Sequence, residues 1–199
     1  QRQRGQAQGA QGPDIMLEAS LDKPKAYVNE QVTLSIKFFQ GAPLIGNPNY
    51  APPNLTGFFA EELPQLRYER NVNGKRYGVT ELKAALFPNA GGKLTVGPAH
   101  VQGQIAEPMA MDPYASDFLQ RFIQFGGGST ARPVEAHSNP VAFEALPLPE
   151  AGKPKDFNGA VGLYNMSAML SRSEVKVGEA VDLILIIEGE GNLKTVFAP

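Results

Sequence analysis

The chain of 199 residues contains no cysteine, no tryptophan and only two histidines. Without cysteine it can form neither disulfides nor thiolate metal sites, which is compatible with any cellular compartment. No apolar run reaches the roughly 18–20 residues that a membrane-spanning helix requires. A net charge of −2 gives no electrostatic reason to expect binding to nucleic acid.

Glycine and proline are abundant, with 21 and 17 copies. This abundance favours many short strands and turns over long helices. Hydrophobic residues make up 42% and charged residues 19% of the chain, the balance of a soluble globular protein with one or two domains. The composition therefore indicates an all-β fold.

Two stretches separated by 149 residues repeat one pattern, "AYVNEQVTLSIKFF" and "EVKVGEAVDLILIIEG". The same offset aligns identical residues without a gap: Ala19 with Ala168, Leu21 with Leu170, Val28 with Val177, Glu30 with Glu179, Val32 with Val181 and Leu34 with Leu183. Within the first stretch Val32, Leu34, Ile36 and Phe38 alternate with polar residues, which is typical of a strand with one buried face. The unbroken offset favours duplication of one β-rich domain over chance.

Each copy opens with a polar corner, "VNEQ" or "VGEA", just before its strand. Asn29 and Gly178 occupy the second position, where a tight corner often needs a positive φ. Glu30 and Glu179 follow them, and we expect each carboxylate to accept hydrogen bonds from turn amides. This role is structural, with a net stabilisation of about 1–2 kcal/mol.

These patterns divide the chain into a flexible leader at 1–12, a first domain at 13–147, a linker at 148–156 and the start of a second domain at 157–199. Strands with turn signals about every 10 residues predict tandem immunoglobulin-like β-sandwiches. The chain begins with Gln and stops within a β pattern, so we expect the second domain to be truncated. For the same reason, the lack of a signal peptide and of a membrane anchor in this sequence does not indicate that the protein is without them.

One stretch in the first domain, "MDPYASDFLQRFIQFGGGST", breaks the β pattern and predicts a short helical or irregular insertion within 106–131. On a helix capped by Ser116, one face would carry Phe118, Leu119, Phe122, Ile123 and Phe125. This face either packs on its own sandwich as a lid or grips a partner, because large apolar patches seldom face water without a use.

Residues that could carry chemistry are sparse. His100 and His137 are predicted to be ordinary strand or surface residues, because no further ligand stands at a metal-site or triad spacing. The pair Glu61–Glu62 could supply half of a glycosidase acid pair with Glu81 or Asp112, but neighbouring carboxylates are usually solvated. The sequence thus predicts no catalytic, cofactor or metal site, and no enzyme.

The second copy of the repeated strand differs from the first in one respect. Its segment "LILII" is apolar on both faces, with Ile184 and Ile186 where the first copy has Ser35 and Lys37. Either this strand is central and covered twice, or it is covered by sequence outside the chain. An uncovered apolar strand would invite pairing with another chain.

Five stretches carry a resemblance to a known family, in chain order "YVNEQVTLSIKFF", "GFFAEEL", "RYGVTELKAALFPNAGGKLTVGPAHVQGQ", "VAFEALPLPEAGKP" and "FNGAVGLYNMSAMLSRSEVKVGEAVDLILIIEGEGNLKTV". They resemble the BatD family, the "oxygen tolerance" proteins of bacterial aerotolerance operons. The most specific parts are "ALFPNAGGKLTVGPA" and the paired blocks "FNGAVG" and "GEGNLK". "MDPYASDFLQRF" also resembles the Phe-rich insertion of many members.

This resemblance implies an exported protein with repeated Ig-like domains on the periplasmic side of the bacterial inner membrane, anchored by a helix outside this chain. It implies protein partners, namely von Willebrand A-type membrane proteins and a MoxR-type AAA+ ATPase. It implies neither cofactor nor catalytic residues. The expected function is a non-catalytic protein-interaction or assembly module.

Such a module would bind through buried aromatic anchors or through an exposed strand edge extended by a partner strand. The candidate anchors are Phe118, Phe122 and Phe125, and Phe58 and Phe59 are secondary candidates. One ring of the Phe58–Phe59 pair is expected in the core and the other on the surface. The alternative function is a carbohydrate-binding accessory module, which the lack of Trp and the scattered Tyr residues disfavour.

Overall fold

A computed structural model describes residues 12–108 and 129–196. In this part of the chain there are twelve strands and one short 3-10 helix. The strands are β1 Ile15–Leu21, β2 Lys25–Tyr27, β3 Val32–Gln40, β4 Asn49–Ala51, β5 Phe58–Val72, β6 Lys75–Pro88, β7 Gly92–Val96, β8 His100–Pro108, β9 Ser129–His137, β10 Val141–Leu146, β11 Gly162–Leu170 and β12 Leu183–Gly191, and the helix is Leu193–Thr195. The predicted all-β, sandwich-like fold class is confirmed.

The strands form four sheets, of order β1-β3-β6-β5, β2-β10-β7, β4-β8-β9 and β11-β12. The main core lies between the first sheet and the two three-stranded sheets. Its buried members are Ile15, Leu17, Ala19, Leu34, Ile36, Leu86, Val96, Ala99 and Val101. These residues come from β1, β3 and β6 on one side and from β7, β8 and the segment between them on the other, which makes two layers around one core.

The alternation read from the sequence of β3 places Val32, Leu34 and Ile36 in the interior, as predicted. Phe38 packs against the same core but is only partly buried. Its neighbour Phe39 is fully buried on the opposite face of the sheet, in a small cluster with Tyr77. The outer face of β3 therefore carries a second apolar contact that the alternation did not predict.

The longest hairpin joins β5 to β6 through Asn73 and Gly74, whose φ angles are 50° and 81°. Two central residues with positive φ define the tight turn that matches the twist of paired strands. β5 lies at the edge of its sheet, and its pairing with β6 shifts register between Leu63 and Leu66. Pro64 lies within this shift, which suits a residue that cannot donate to the ladder.

The two copies of the repeated pattern fold alike. Leu21 pairs with Leu34 in the first copy, and Leu170 pairs with Leu183 in the second. Both pairs belong to antiparallel ladders whose registers superimpose at the 149-residue offset seen in the sequence. A common register across an antiparallel pair is what a duplicated strand-corner-strand unit requires.

The polar corners also repeat their hydrogen bonds. Asn29 and Gly178 have φ angles of 64° and 95°. The Glu30 carboxylate accepts the backbone N–H of Tyr27 at 2.8 Å, and the Glu179 carboxylate accepts that of Lys176 at 3.1 Å. The structural role predicted for both glutamates is confirmed.

The stretch "GGKLTVGPAHVQGQI" forms two strands in different sheets, whereas its pattern predicts a single strand. β7 pairs with β10, and β8 pairs with β4 and β9. Gly97, Pro98 and Ala99 separate the two, and proline interrupts a ladder because it has no N–H to donate. The chain thus crosses from one three-stranded sheet to the next at this point.

An ionic cluster around Asp14 ties the start of β1 to three other strands. Lys75 on β6 lies 3.1 Å from the Asp14 carboxylate, and Arg132 on β9 bonds both to Asp14 and to Glu107 on β8. The hydrogen bonds from Lys75 and then Arg132 lower the pKa of Asp14 below its ordinary value. This cluster joins the segment just before β1 to the paired strands β8 and β9.

The aromatic segment with Phe118, Phe122 and Phe125 lies outside the described residues. Its flanks are described: Pro108 and Ser129 are partners at the far end of the β8–β9 ladder. Across residues 12–108 and 129–196, no helix is both long enough and apolar enough to cross a membrane.

Candidate functional site

An apolar groove of about 480 Å³ opens along the edge of the sandwich beside β5. Its floor consists of inward-facing residues of β3 and β6, and its far wall is the segment around Tyr50 and Leu55. The residues that define it are Leu34, Leu82, Ala84, Tyr50, Leu55 and Leu63. The groove therefore leads from solvent directly onto the hydrophobic interior between the layers.

The near wall of this groove is the free edge of a sheet. In the described part of the chain β5 pairs with β6 alone, so one side of its backbone carries unpaired N–H and C=O groups. Ala60, Glu61, Glu62 and Leu63 lie where this edge meets the groove. An edge strand beside an apolar groove can accept a further strand, with main-chain hydrogen bonds along the edge and side chains in the groove.

Glu61 and Glu81, two of the carboxylates considered from the sequence for an acid pair, have separate partners. Glu61 binds Lys194 at 2.6 Å. Glu81 precedes the groove residue Leu82 on β6 and so projects from the opposite face of the sheet, where it accepts a hydrogen bond from the Tyr68 hydroxyl at 3.2 Å. Burial, and then the charge of Glu81, raise the pKa of Tyr68. The fourth candidate, Asp112, lies outside the described residues.

The two adjacent phenylalanines at the start of β5 have different environments. Phe58 is partly buried and packs on Phe143, with ring centroids 5.5 Å apart. Phe59 is 41% exposed, and the Lys194 ammonium lies 4.6 Å from its ring centroid. One ring is inside and one is outside, as expected, and the outer ring contacts the C-terminal part of this same chain.

The structure brings together three residues that sequence reasoning left apart. His100 and His137 are direct partners across β8 and β9, and their rings stack with centroids 4.0 Å apart. Glu135 lies two residues before His137, and one ligand atom from each of the three residues falls within 4.8 Å of the other two. The 36 intervening residues hide this pair in the sequence, and only the β8–β9 register reveals it.

The β11–β12 sheet is apolar and exposed in this structure. Its exposed members include Leu163, Met166, Leu170, Leu183, Ile184 and Ile186. This agrees with the two-faced apolar pattern of "LILII". A two-stranded sheet is marginal by itself, and exposed apolar faces of this kind favour a further contact.

No family model matches the chain, and neither a curated protein nor a solved structure matches it. The resemblance to BatD proteins therefore depends on the residues quoted above.

Proposed function

We propose that this chain is a non-catalytic protein-interaction and assembly module of a BatD-like protein, located on the periplasmic side of the bacterial inner membrane. Its partners are von Willebrand A-type membrane proteins that act with a MoxR-type AAA+ ATPase. The residue resemblance supports the location and the partners. The open groove beside β5 supports the mode of action.

The observation that carries this proposal is the coincidence of a free strand edge with an apolar groove. Natural sheets commonly cover, charge or shorten their edges, because an open edge pairs with other chains. β5 has 15 residues, and its groove wall combines the apolar Ala60 and Leu63 with the carboxylates Glu61 and Glu62. A partner segment in extended conformation can satisfy the backbone of this edge and place alternate apolar side chains in the groove.

The charges that line the groove favour a partner segment with a basic residue beside Glu62. Glu62 is exposed at the groove mouth, while the other two charged lining residues have partners in this chain, Glu61 with Lys194 and Lys83 with Glu81. Complementary charge at the rim of an interface chiefly sets orientation and association rate, while the buried apolar part supplies affinity. The expected ligand is therefore an extended, apolar segment with a Lys or Arg beside Glu62.

Changing Ala60 to Arg is expected to abolish partner binding without unfolding the protein. Ala60 is exposed on β5 and lines the groove, so a long charged side chain there would occupy the groove mouth and make burial of an apolar segment unfavourable. The measurement is co-purification of the von Willebrand A-type proteins with the full-length protein from its native membrane. We expect at least a tenfold loss, equivalent to about 1.4 kcal/mol.

The matched control is Thr95→Arg, which adds the same side chain at an exposed position of β7 outside the groove lining. It should leave co-purification unchanged, with both variants melting near the parent temperature. Partner retention by the Ala60 variant would refute docking in the groove. If partners are lost instead when Phe118, Phe122 and Phe125 are changed to Ser, the aromatic segment is the docking element.

A further inference from the structure

The outer face of the β4-β8-β9 sheet carries both histidines of the chain. They stand directly opposite each other, and their rings are nearly parallel, with an angle of 5° between the planes. Glu135 pairs with Gln102, the next residue on this face of the ladder, so its carboxylate is a diagonal neighbour of His100. The Glu135 and His100 side chains approach to 3.8 Å between Oε2 and Nε2.

One atom of this cluster lacks the partner that its burial requires. His100 Nε2 is buried and has no hydrogen-bond partner among the described residues. A buried polar atom without a partner costs about 1–3 kcal/mol, so most such atoms in folded proteins are satisfied by protein, water or an ion. The orphaned nitrogen lies 3.8 Å from Oε2 of Glu135.

We propose that His100, Glu135 and His137 bind a divalent transition-metal ion of the Zn²⁺ class. Two imidazoles and one carboxylate suit this class, whereas Ca²⁺ and Mg²⁺ prefer oxygen ligands alone. Bonds of about 2.0–2.1 Å in a tetrahedral arrangement place ligand atoms about 3.3 Å apart. The three ligand atoms already lie within 4.8 Å of one another, so a contraction of about 1.5 Å at most completes the site.

The side chains have room for this contraction. The two rings must splay from their stacked arrangement, because a metal ion binds imidazole nitrogen close to the plane of each ring. His137 and Glu135 are both exposed, and Glu135 keeps 66% of its side chain accessible, so rotation of these two side chains meets little obstruction. The backbone ladder of β8 and β9 stays in place.

The proposed site retains an open coordination position. Three protein ligands leave the fourth tetrahedral position for water or for a donor atom of a bound molecule. Glu135 also lines a second groove of about 750 Å³ on this face, together with the polar side chains of Asn47, Asn49, Gln102 and Gln104. A donor group that enters this groove can reach the ion, so the site can act as a metal-dependent contact separate from the groove beside β5.

The test uses the untagged chain, stripped with a chelator and titrated with ZnCl₂ while its imidazole nitrogens are followed by NMR. The chain has only two histidines, so two ring systems are observed and single variants assign them. Both rings are expected to shift together and to saturate at one Zn²⁺ per chain. Movement of one ring alone, or a change that does not saturate, would overturn the proposal.

We expect a large loss of Zn²⁺ affinity in each of the variants His100→Gln, His137→Gln and Glu135→Gln. The loss should exceed the roughly 10–100-fold that follows removal of a residue that only supports a metal ligand. The matched control is Glu144→Gln, at an exposed carboxylate on β10. It should bind Zn²⁺ like the parent. Because Glu135 is largely exposed, its variant is expected to fold even if His100→Gln does not. Unchanged affinity in Glu135→Gln would remove the carboxylate from the site and contradict the proposal.

Discussion

Replacement of Tyr77 by Ala is expected to lower the free energy of unfolding of the first domain by about 3–5 kcal/mol. This is a large part of the 5–15 kcal/mol that stabilises a typical domain. Tyr77 is 1% exposed and packs edge-to-face on Phe39, with ring centroids 6.0 Å apart. Its hydroxyl donates to the Pro13 carbonyl oxygen at 2.9 Å. The substitution therefore removes a buried ring and also removes a hydrogen bond that holds the segment ahead of β1.

Urea unfolding at neutral pH measures this effect, and Tyr77→Phe separates its two parts. The Phe variant keeps the ring and loses only the hydroxyl, so it should cost about 1 kcal/mol. Lys75 also donates to the Pro13 carbonyl, at 3.0 Å, and keeps that oxygen satisfied. A cost below 1 kcal/mol for the Ala variant would mean that the Phe39 cluster does not hold the outer face of the sheet.

The second large effect is expected for Gly189→Ala in β12. A Cβ atom at Gly189 would lie 2.0 Å from the Leu163 carbonyl oxygen and 2.9 Å from the Tyr164 ring. Contacts this short force the strands apart, so we expect a cost of about 3 kcal/mol, the upper end for overpacking, and loss of the β11–β12 ladder. Backbone amide exchange of the parent and variant chains measures this loss directly.

A matched control is Gly78→Ala on β6, where the nearest atom to a new Cβ is the Gln40 carbonyl oxygen at 4.0 Å. This substitution should be close to neutral, since alanine fits and reduces the freedom of the unfolded chain. If Gly189→Ala leaves the exchange of β11 and β12 unchanged, the close approach at Gly189 is not a requirement of the fold.

Three glycines of β11 and β12 share one structural role. Gly162 is the last residue of the block "FNGAVG", and Gly189 and Gly191 are the first and third residues of "GEGNLK". A Cβ at any of the three would meet the ring or hydroxyl of Tyr164 within 3.0 Å. These blocks therefore combine to make room for one aromatic ring on a small sheet.

Much of the first domain was predictable because the patterns that determine its strands and turns are local in the sequence. Alternation in β1 and β3, the Asn73–Gly74 turn and the positive φ at Asn29 each depend on a few neighbouring residues. The repeat added a long-range check, since an offset of 149 residues in the sequence became a shared register in the structure. Local patterns and the repeat together were enough for the fold class.

The candidate sites were less predictable because they depend on contacts between distant strands. The groove beside β5 needs the order of the sheet, which alternation does not give. The pairing of His100 with His137 needs the register of β8 against β9, across the segment that holds the aromatic candidates. Pattern reasoning at close spacing has no access to such pairs, and it therefore predicted no metal site.

The proposed function requires a partner strand to bind along the free edge of β5. Hydrogen exchange with and without the extramembrane domain of the von Willebrand A-type partner detects such binding residue by residue. We predict slowed exchange at the β5 amides near Ala60–Leu63 that point away from β6, because a new ladder would protect them. Exchange that remains unchanged along β5 at saturating partner would contradict it.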